Sequence, residues 1–189
     1  LEMAGINKDT VPPVGGVIVR DDLGEHTGIL LNRATTLIAD QVPKPSIETF
    51  TSFVKGGMLQ MAKDGFVAVH QAGAEASHMQ AFELLQSNDE LPIRMYAMLS
   101  TRDKTLLKRW LKKGPTTDHA GFLDVRSVKA YYDGALGSRG ARLLDDYSDK
   151  EGHKGVSGEG YGFDRELVGQ YIDAGFQLAI HAIGDAGNR

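Results

Sequence analysis

An α/β fold built on a parallel sheet is what this sequence predicts, and three observations carry the prediction. Short apolar runs rich in β-branched and small residues alternate with stretches of helical period. The first three such runs beyond residue 65 recur about every 30 residues, the length of one βα unit. Gly, Asp and Pro clusters punctuate them, and the absence of cysteine removes any disulfide framework as an alternative.

The elements follow in order. Leu1-Glu2-Met3-Ala4-Gly5 reads as the end of a helix running into a glycine C-cap. Gly16 to Arg20 and Thr27 to Leu31 flank an Asp21-Asp22-Leu23-Gly24 turn and read as a hairpin. Pro43-Lys44-Pro45 breaks the chain. Ser46 then offers an N-cap to a helix striped by Ile47, Phe50, Val54, Met58 and Met61, ending at Asp64-Gly65. Phe66 to Gly73 is a buried-type strand. Ser77 to Gln80 matches a capping box for a helix through Met79, Phe82 and Leu85.

Ile93 to Leu99 is the second strand. A helix on Leu106, Leu107, Trp110 and Leu111 follows and stops at Gly114-Pro115. Val125 to Tyr132 is the third strand. After a long polar, Gly-rich stretch, Asp164 caps a helix through Leu167, Val168, Tyr171 and Ile172, and Phe176 to Ile183 is the fourth strand. This spacing suits a (β/α)8 barrel, although a doubly wound sheet has the same local alternation. Four parallel strands do not close a barrel and leave two edges unpaired. Both chain ends read as interruptions, so the remaining strands are expected from chain outside these 189 residues.

Lys and Arg number 21 against 25 for Asp and Glu, a net charge of −4. That balance gives no footprint for nucleic acid or anionic membrane. No apolar run approaches the ~20 residues of a membrane helix. Without cysteine, thiolate zinc sites and Cys nucleophiles are excluded, and a reducing, cytoplasmic setting fits. A small-molecule substrate is the expected partner, and self-association into a homo-oligomer stays open.

Polar residues stand near the C-terminal ends of three strands: His70, Lys129 with Asp133, and His181 with Asp185. That end is where ligands collect in parallel α/β folds. The period of two places Lys129, Tyr131 and Asp133 on one face, and His181, Ile183 and Asp185 on another. A buried-strand lysine is costly unless its charge is removed or paired. It can become a carbamate bridging two metals, form a Schiff base with a carbonyl, or simply pair with Asp133. His181 suits a metal ligand or a satisfied core residue. His70 reads as core, and His26, His78, His119 and His153 as surface. No H-x-H or H-E-x-x-H occurs, and Gly134 to Gly140 is not a phosphate loop.

Val128-Lys-Ala-Tyr-Tyr-Asp-Gly-Ala-Leu-Gly-Ser-Arg-Gly140, with Tyr147-Ser-Asp149, resembles the lysine-strand signature of the YtcJ-like branch of amidohydrolase family 3. Ile180-His-Ala-Ile-Gly-Asp185 is similar to that branch's next strand. So are Leu91 to Tyr96, and Arg20 to Gly24 with Thr27 to Leu30, so the likeness runs nearly the whole chain in order. It implies part of a distorted TIM (β/α)8 barrel of the metal-dependent hydrolase type. Residues 1–63 would be a hairpin-containing insertion between the first two barrel strands, and 64–189 barrel strands two to five.

By the same resemblance Lys129 is a carboxylated lysine bridging one or two divalent metals, expected to be zinc, and His181 is the fifth-strand ligand. Asp133, Ser138 and Arg139 are candidates for the substrate loop. The H-x-H pair, the sixth-strand His and the eighth-strand catalytic Asp have no counterpart here. The implied activity is hydrolysis of amide-like, non-peptide carbon–nitrogen bonds by a metal-bound hydroxide, in the complete protein rather than this piece alone. A Schiff-base lyase using Lys129 and a non-catalytic barrel fragment are the alternatives.

Overall fold

The computed structural model describes residues 1–39, 41–117 and 121–189. His119, expected at the surface, lies outside them. A single 3-10 turn, Glu2–Ala4, runs into Gly5 at φ 66°, so the expected glycine cap is present behind a very short helix.

β1 (Gly16–Arg20) and β2 (His26–Asn32) form an antiparallel hairpin. Asp21 shapes its turn, with Oδ1 accepting the amides of Leu23 and Glu25 at 2.9 Å each. Ile6, Ile18 and Ala34 make a small core here, backed by Leu30 and by Leu37 of the short α1 (Thr36–Ala39).

The larger unit begins with α2 (Ile47–Lys63), capped as expected by Ser46 Oγ on the Thr49 amide. β3 (Ala68–Ala74), α3 (Ala76–Ser87), β4 (Arg94–Ser100), α4 (Lys104–Lys113), β5 (Leu123–Tyr131), α5 (Arg165–Asp173) and β6 (Gln177–His181) follow. The four strands pair in the order β3-β4-β5-β6, every pair parallel. Strand order and direction are those expected, with strand ends differing by one or two residues.

One cap differs from expectation. The N-cap of α3 is Glu75, not Ser77, and His78 Nδ1 accepts the Glu75 amide at 3.4 Å to close the capping box. Glu and His replace the Ser/Thr and Glu/Gln that mark this box in sequence. His78 is accordingly half-buried, with Phe50 edge-on at 5.2 Å, rather than a free surface residue. Asp103 serves two helices: Oδ1 caps α4 through the Leu106 amide, and Oδ2 takes the Ala76 amide of α3 at 2.9 Å.

All four helices α2 to α5 cover one face of the parallel sheet. Met58, Met79, Phe82, Leu85, Leu107, Trp110 and Tyr171 pack there on Met95, Ala97, Leu99, Val125 and Val128. Alternate positions of β4 face the helices, and β5 presents Val125 and Val128 to the same side across a register shift, which leaves residues such as Tyr96, Ser127 and Lys129 on the opposite face. α2, placed in the insertion by sequence, packs against α3 and joins this core through Met58. No described helix is long and apolar enough to cross a membrane.

Candidate metal centre

The face without helices carries a polar and aromatic row. His70 of β3 is exposed there and stacks on Tyr96 of β4 at 4.7 Å, rather than sitting in the core. The Tyr96 hydroxyl donates to Gln177 Oε1 of β6 at 2.8 Å and lies 2.7 Å from Ser127 Oγ of β5. One hydroxyl thus links three strands. Sequence reading passed over this row, although strand alternation places all four residues on one face.

Lys129 sits one layer higher, in register with Ser100 and Ala179, and Tyr131 is the register partner of His181. Lys129 Nζ lies 5.5 Å from the Tyr131 ring centroid, and the His181 ring centroid lies 6.0 Å from it. Both sequence-predicted ligands therefore stand beside a single tyrosine ring, on adjacent strands, near their C-terminal ends. Pairing of Lys129 with Asp133 does not occur: Lys129 has no carboxylate partner among the described residues.

The reason lies in where the strands end. Tyr132 N still donates to His181 O at 2.8 Å, but beyond that the ladder stops and the side-chain alternation stops with it. Asp133 turns inward and is fully buried. Its Oδ1 accepts the Ile183 amide at 2.9 Å, and Oδ2 accepts the amides of Arg142 (2.9 Å) and Gly184 (2.8 Å). Burial alone would raise its pKa. The three amides and nearby His181 outweigh burial and hold the carboxyl below the ordinary aspartate value.

His181 is about a quarter exposed, its Nε2 3.4 Å from Gly134 O and 3.8 Å from Asp133 Oδ1. A carbonyl only accepts, so this contact puts the proton on Nε2 and leaves the Nδ1 lone pair free. Asp185, expected beside His181, instead closes a loop by accepting the amides of Leu144 and Ala186.

Ser138 and Arg139 are occupied locally. Ser138 Oγ donates to Ala135 O at 3.4 Å, and its carbonyl accepts Asn32 Nδ2 from the hairpin. Arg139, at φ 56°, forks onto Asp149 through Nε (3.0 Å) and Nη2 (2.7 Å), and its carbonyl meets His153 Nε2 at 2.8 Å. That contact half-buries His153, which was expected at the surface. A Cβ on Gly184 would overlap the Arg142 carbonyl, so this loop and the β6 exit are in backbone contact.

A lysine able to carry a carbamate and an imidazole with a free lone pair are donors that fit a divalent metal. They make only part of a centre. No group of three or more His, Cys, Asp or Glu able to hold an ion occurs among the described residues.

The model of the amidohydrolase family matches residues 1–189. The chain belongs to the amidohydrolase family. It is 31% identical over 198 residues to YtcJ of Bacillus subtilis (strain 168), covering 98% of this chain and 35% of that protein. It is 28% identical over 204 residues to LONG AFTER FAR-RED 3 of Arabidopsis thaliana, covering 100% of this chain and 34% of that one. The chain thus spans about a third of the length of the curated relatives it matches.

Its fold recurs in two crystal structures of uncharacterized metal-dependent hydrolases. The one from Pyrococcus horikoshii OT3 matches at TM-score 0.71 and 22% identity, over 99% of this chain and 36% of that one. The one from Pyrococcus furiosus matches at 0.71 and 20%, over 98% and 38%. This amidohydrolase chain therefore has the mixed α/β fold, with a parallel sheet, expected for part of such a barrel.

Proposed function

We propose that this chain is part of a metal-dependent hydrolase that cleaves the carbon–nitrogen bond of small, amide-like, non-peptide molecules, with Lys129 and His181 as two ligands of its metal centre. One observation carries the reading. In a chain matched throughout by the amidohydrolase family, Lys129 and His181 stand beside one tyrosine ring, on adjacent strands, on the helix-free face.

As a carbamate, Lys129 offers two oxygens, and His181 offers Nδ1. This donor set suits one or two zinc ions. A tight site needs about three or four protein ligands, so the others belong to barrel strands beyond these four. The metal supplies Lewis acidity toward a carbonyl-type oxygen and an acidified water.

The residues present do the positioning. Asp133 pins the β6 exit and the Gly134 loop, which fixes the imidazole. Tyr96, Ser127 and Gln177 set the relative heights of β4, β5 and β6 below the donors. A cytoplasmic site of action accompanies this reading, on the absence of cysteine.

The test uses the full-length protein. Lys129→Ala should lower metal content and abolish turnover of amide, formamide and cyclic imide substrates. Unchanged metal stoichiometry and turnover overturn the proposal. Borohydride trapping of a carbonyl compound on Lys129 in metal-free protein would favour Schiff-base chemistry instead.

A further inference from the structure

Helix α4 gathers Lys104, Lys108, Arg109, Lys112 and Lys113, with no acidic residue among its ten, in a chain whose net charge is −4. Leu106, Leu107 and Trp110 face the core, so all five cations stand exposed on the opposite side. Residues four apart are neighbours on a helix surface. Lys104, Lys108 and Lys112 therefore form one row, with Arg109 and Lys113 beside it.

None of the five meets a carboxylate among the described residues. Lys113 is braced on the Trp110 ring, its Nζ 4.2 Å from the centroid. Around the partly buried Leu111, Lys108, Arg109, Lys112 and Lys113 rim a shallow depression open to solvent. Like charges four residues apart destabilise a helix, and an acidic surface laid on them relieves that cost.

The hairpin offers the complementary shape. At its tip Leu23 is 87% exposed, with Asp21, Asp22 and Glu25 around it. Asp21 holds the turn through the Leu23 and Glu25 amides. Arg20 braces it, with Nη1 on Gly24 O at 3.0 Å and Nη2 on Thr10 O at 2.9 Å. The tip is thus shaped before it meets anything, which lowers the ordering cost of docking.

The Asp22 and Glu25 carboxylates have no ion-pair partner among the described residues. The other dense acidic stretch, Asp145 to Glu151, is engaged internally. There Asp146 takes the Gly152 amide, Asp149 takes Arg139, and Tyr147 at the centre is buried.

We propose that the protein associates with itself through these two surfaces: Leu23 of one copy sits in the Leu111 depression of another, where Asp22 and Glu25 meet Lys108 and Lys112. The apolar knob supplies buried area, and the charges set the register. Neither surface includes a residue of the candidate metal centre.

Sedimentation velocity of the full-length protein across a hundredfold range of concentration tests the contact. Wild type should self-associate at low salt, and about 0.5 M sodium chloride should weaken that association at least tenfold. Lys108→Glu/Lys112→Glu and Asp22→Lys/Glu25→Lys should each lose it, with circular dichroism and melting temperature unchanged. Mixed together, these two variants should associate again, because the acidic tip of the first meets the basic α4 of the second. A wild type monomeric throughout, a charge-reversed variant that associates like wild type, or a mixture that fails to associate overturns the proposal. So does a monomeric wild type held by phosphatidylserine vesicles, which would make α4 a lipid-binding face instead.

Discussion

Asp133 and Gly184 meet at 2.8 Å, carboxylate oxygen on backbone amide, although 51 residues separate them. With the Ile183 and Arg142 amides on the same carboxylate, one side chain joins the exit of β5 to the exit of β6. Asp133→Ala leaves three amide donors, the Gly184 one buried and the other two partly buried, without their acceptor, at about 1–3 kcal/mol for each that water cannot reach. The expected loss in urea denaturation is about 3 kcal/mol or more. A loss below ~1 kcal/mol contradicts this role.

His78 gives the fold an acid-sensitive helix start. Burial holds its pKa below the ordinary histidine value, against the opposing charge of Glu75. A depressed folded pKa means the stabilisation is complete above the unfolded value of about 6.5 and is lost as pH falls through the folded one. Protonation also removes the lone pair that accepts the Glu75 amide. Amide protection in the first turn of α3, measured against intrinsic exchange rates at each pH, should fall as pH drops from about 7.5 to 5.5, and His78→Gln, which keeps an acceptor, should flatten that dependence. Equal pH dependence in both proteins contradicts it.

Tyr171 is almost fully buried on α5, and its hydroxyl has no hydrogen-bond partner among the described residues. Burial first, and then Asp164, push its pKa up to about 12. Removing an unpaired buried hydroxyl should cost nothing, so Tyr171→Phe is expected to match or exceed wild-type stability by up to ~1 kcal/mol. A raised folded pKa preserves stability below the unfolded value near 10 and loses it as pH rises through the folded one. The advantage of Tyr171→Phe should therefore widen above about pH 10. Destabilisation by more than ~1 kcal/mol would reveal a bond partner.

Tyr96→Phe keeps the ring stacked on His70 but deletes the hydroxyl shared with Ser127 and Gln177. The expected loss is about 1 kcal/mol, eased because Ser127 Oγ can still donate to Gln177 Oε1 at 3.3 Å. Thermal unfolding of the two proteins measures it. No change in melting temperature means the hydroxyl is equally well satisfied by water.

The strands, their order and two of the four larger helix starts, at Ser46 and Asp164, were legible because periodicity and Ser or Asp caps are local signals, whereas the Asp103 cap of α4 was not picked out. Ser46, Asp103 and Asp164 each cap a helix through a residue three positions on. The α3 cap was misplaced because Glu75 and His78 form the box with unusual chemistry. Lys129 and His181 could be singled out from strand position, and alternation correctly aims both away from the helices. Alternation failed beyond Tyr131 and His181, where Asp133 and Asp185 became loop fasteners, although Asp133 Oδ1 still lies 3.8 Å from His181 Nε2. The stack of the Arg102 guanidinium on the Tyr131 ring, 4.0 Å from its centroid, had no sequence signal at all. It depends on the glycine at position 73, on another strand, leaving space for a ring.

The parallel register also orders assembly in time. Ala68 waits only for Arg94, and Met95 for Leu123, but Ser127 finds Gln177 only after the long loop has been made. Doubling a loop adds roughly 0.6 kcal/mol of closure entropy, so the β5–β6 pairing is the slowest of the three to nucleate. Lys129 and His181 lie on opposite sides of that last seam. By this order the side chains of Lys129 and His181 are brought together beside the Tyr131 ring only with the last strand pairing of this sheet.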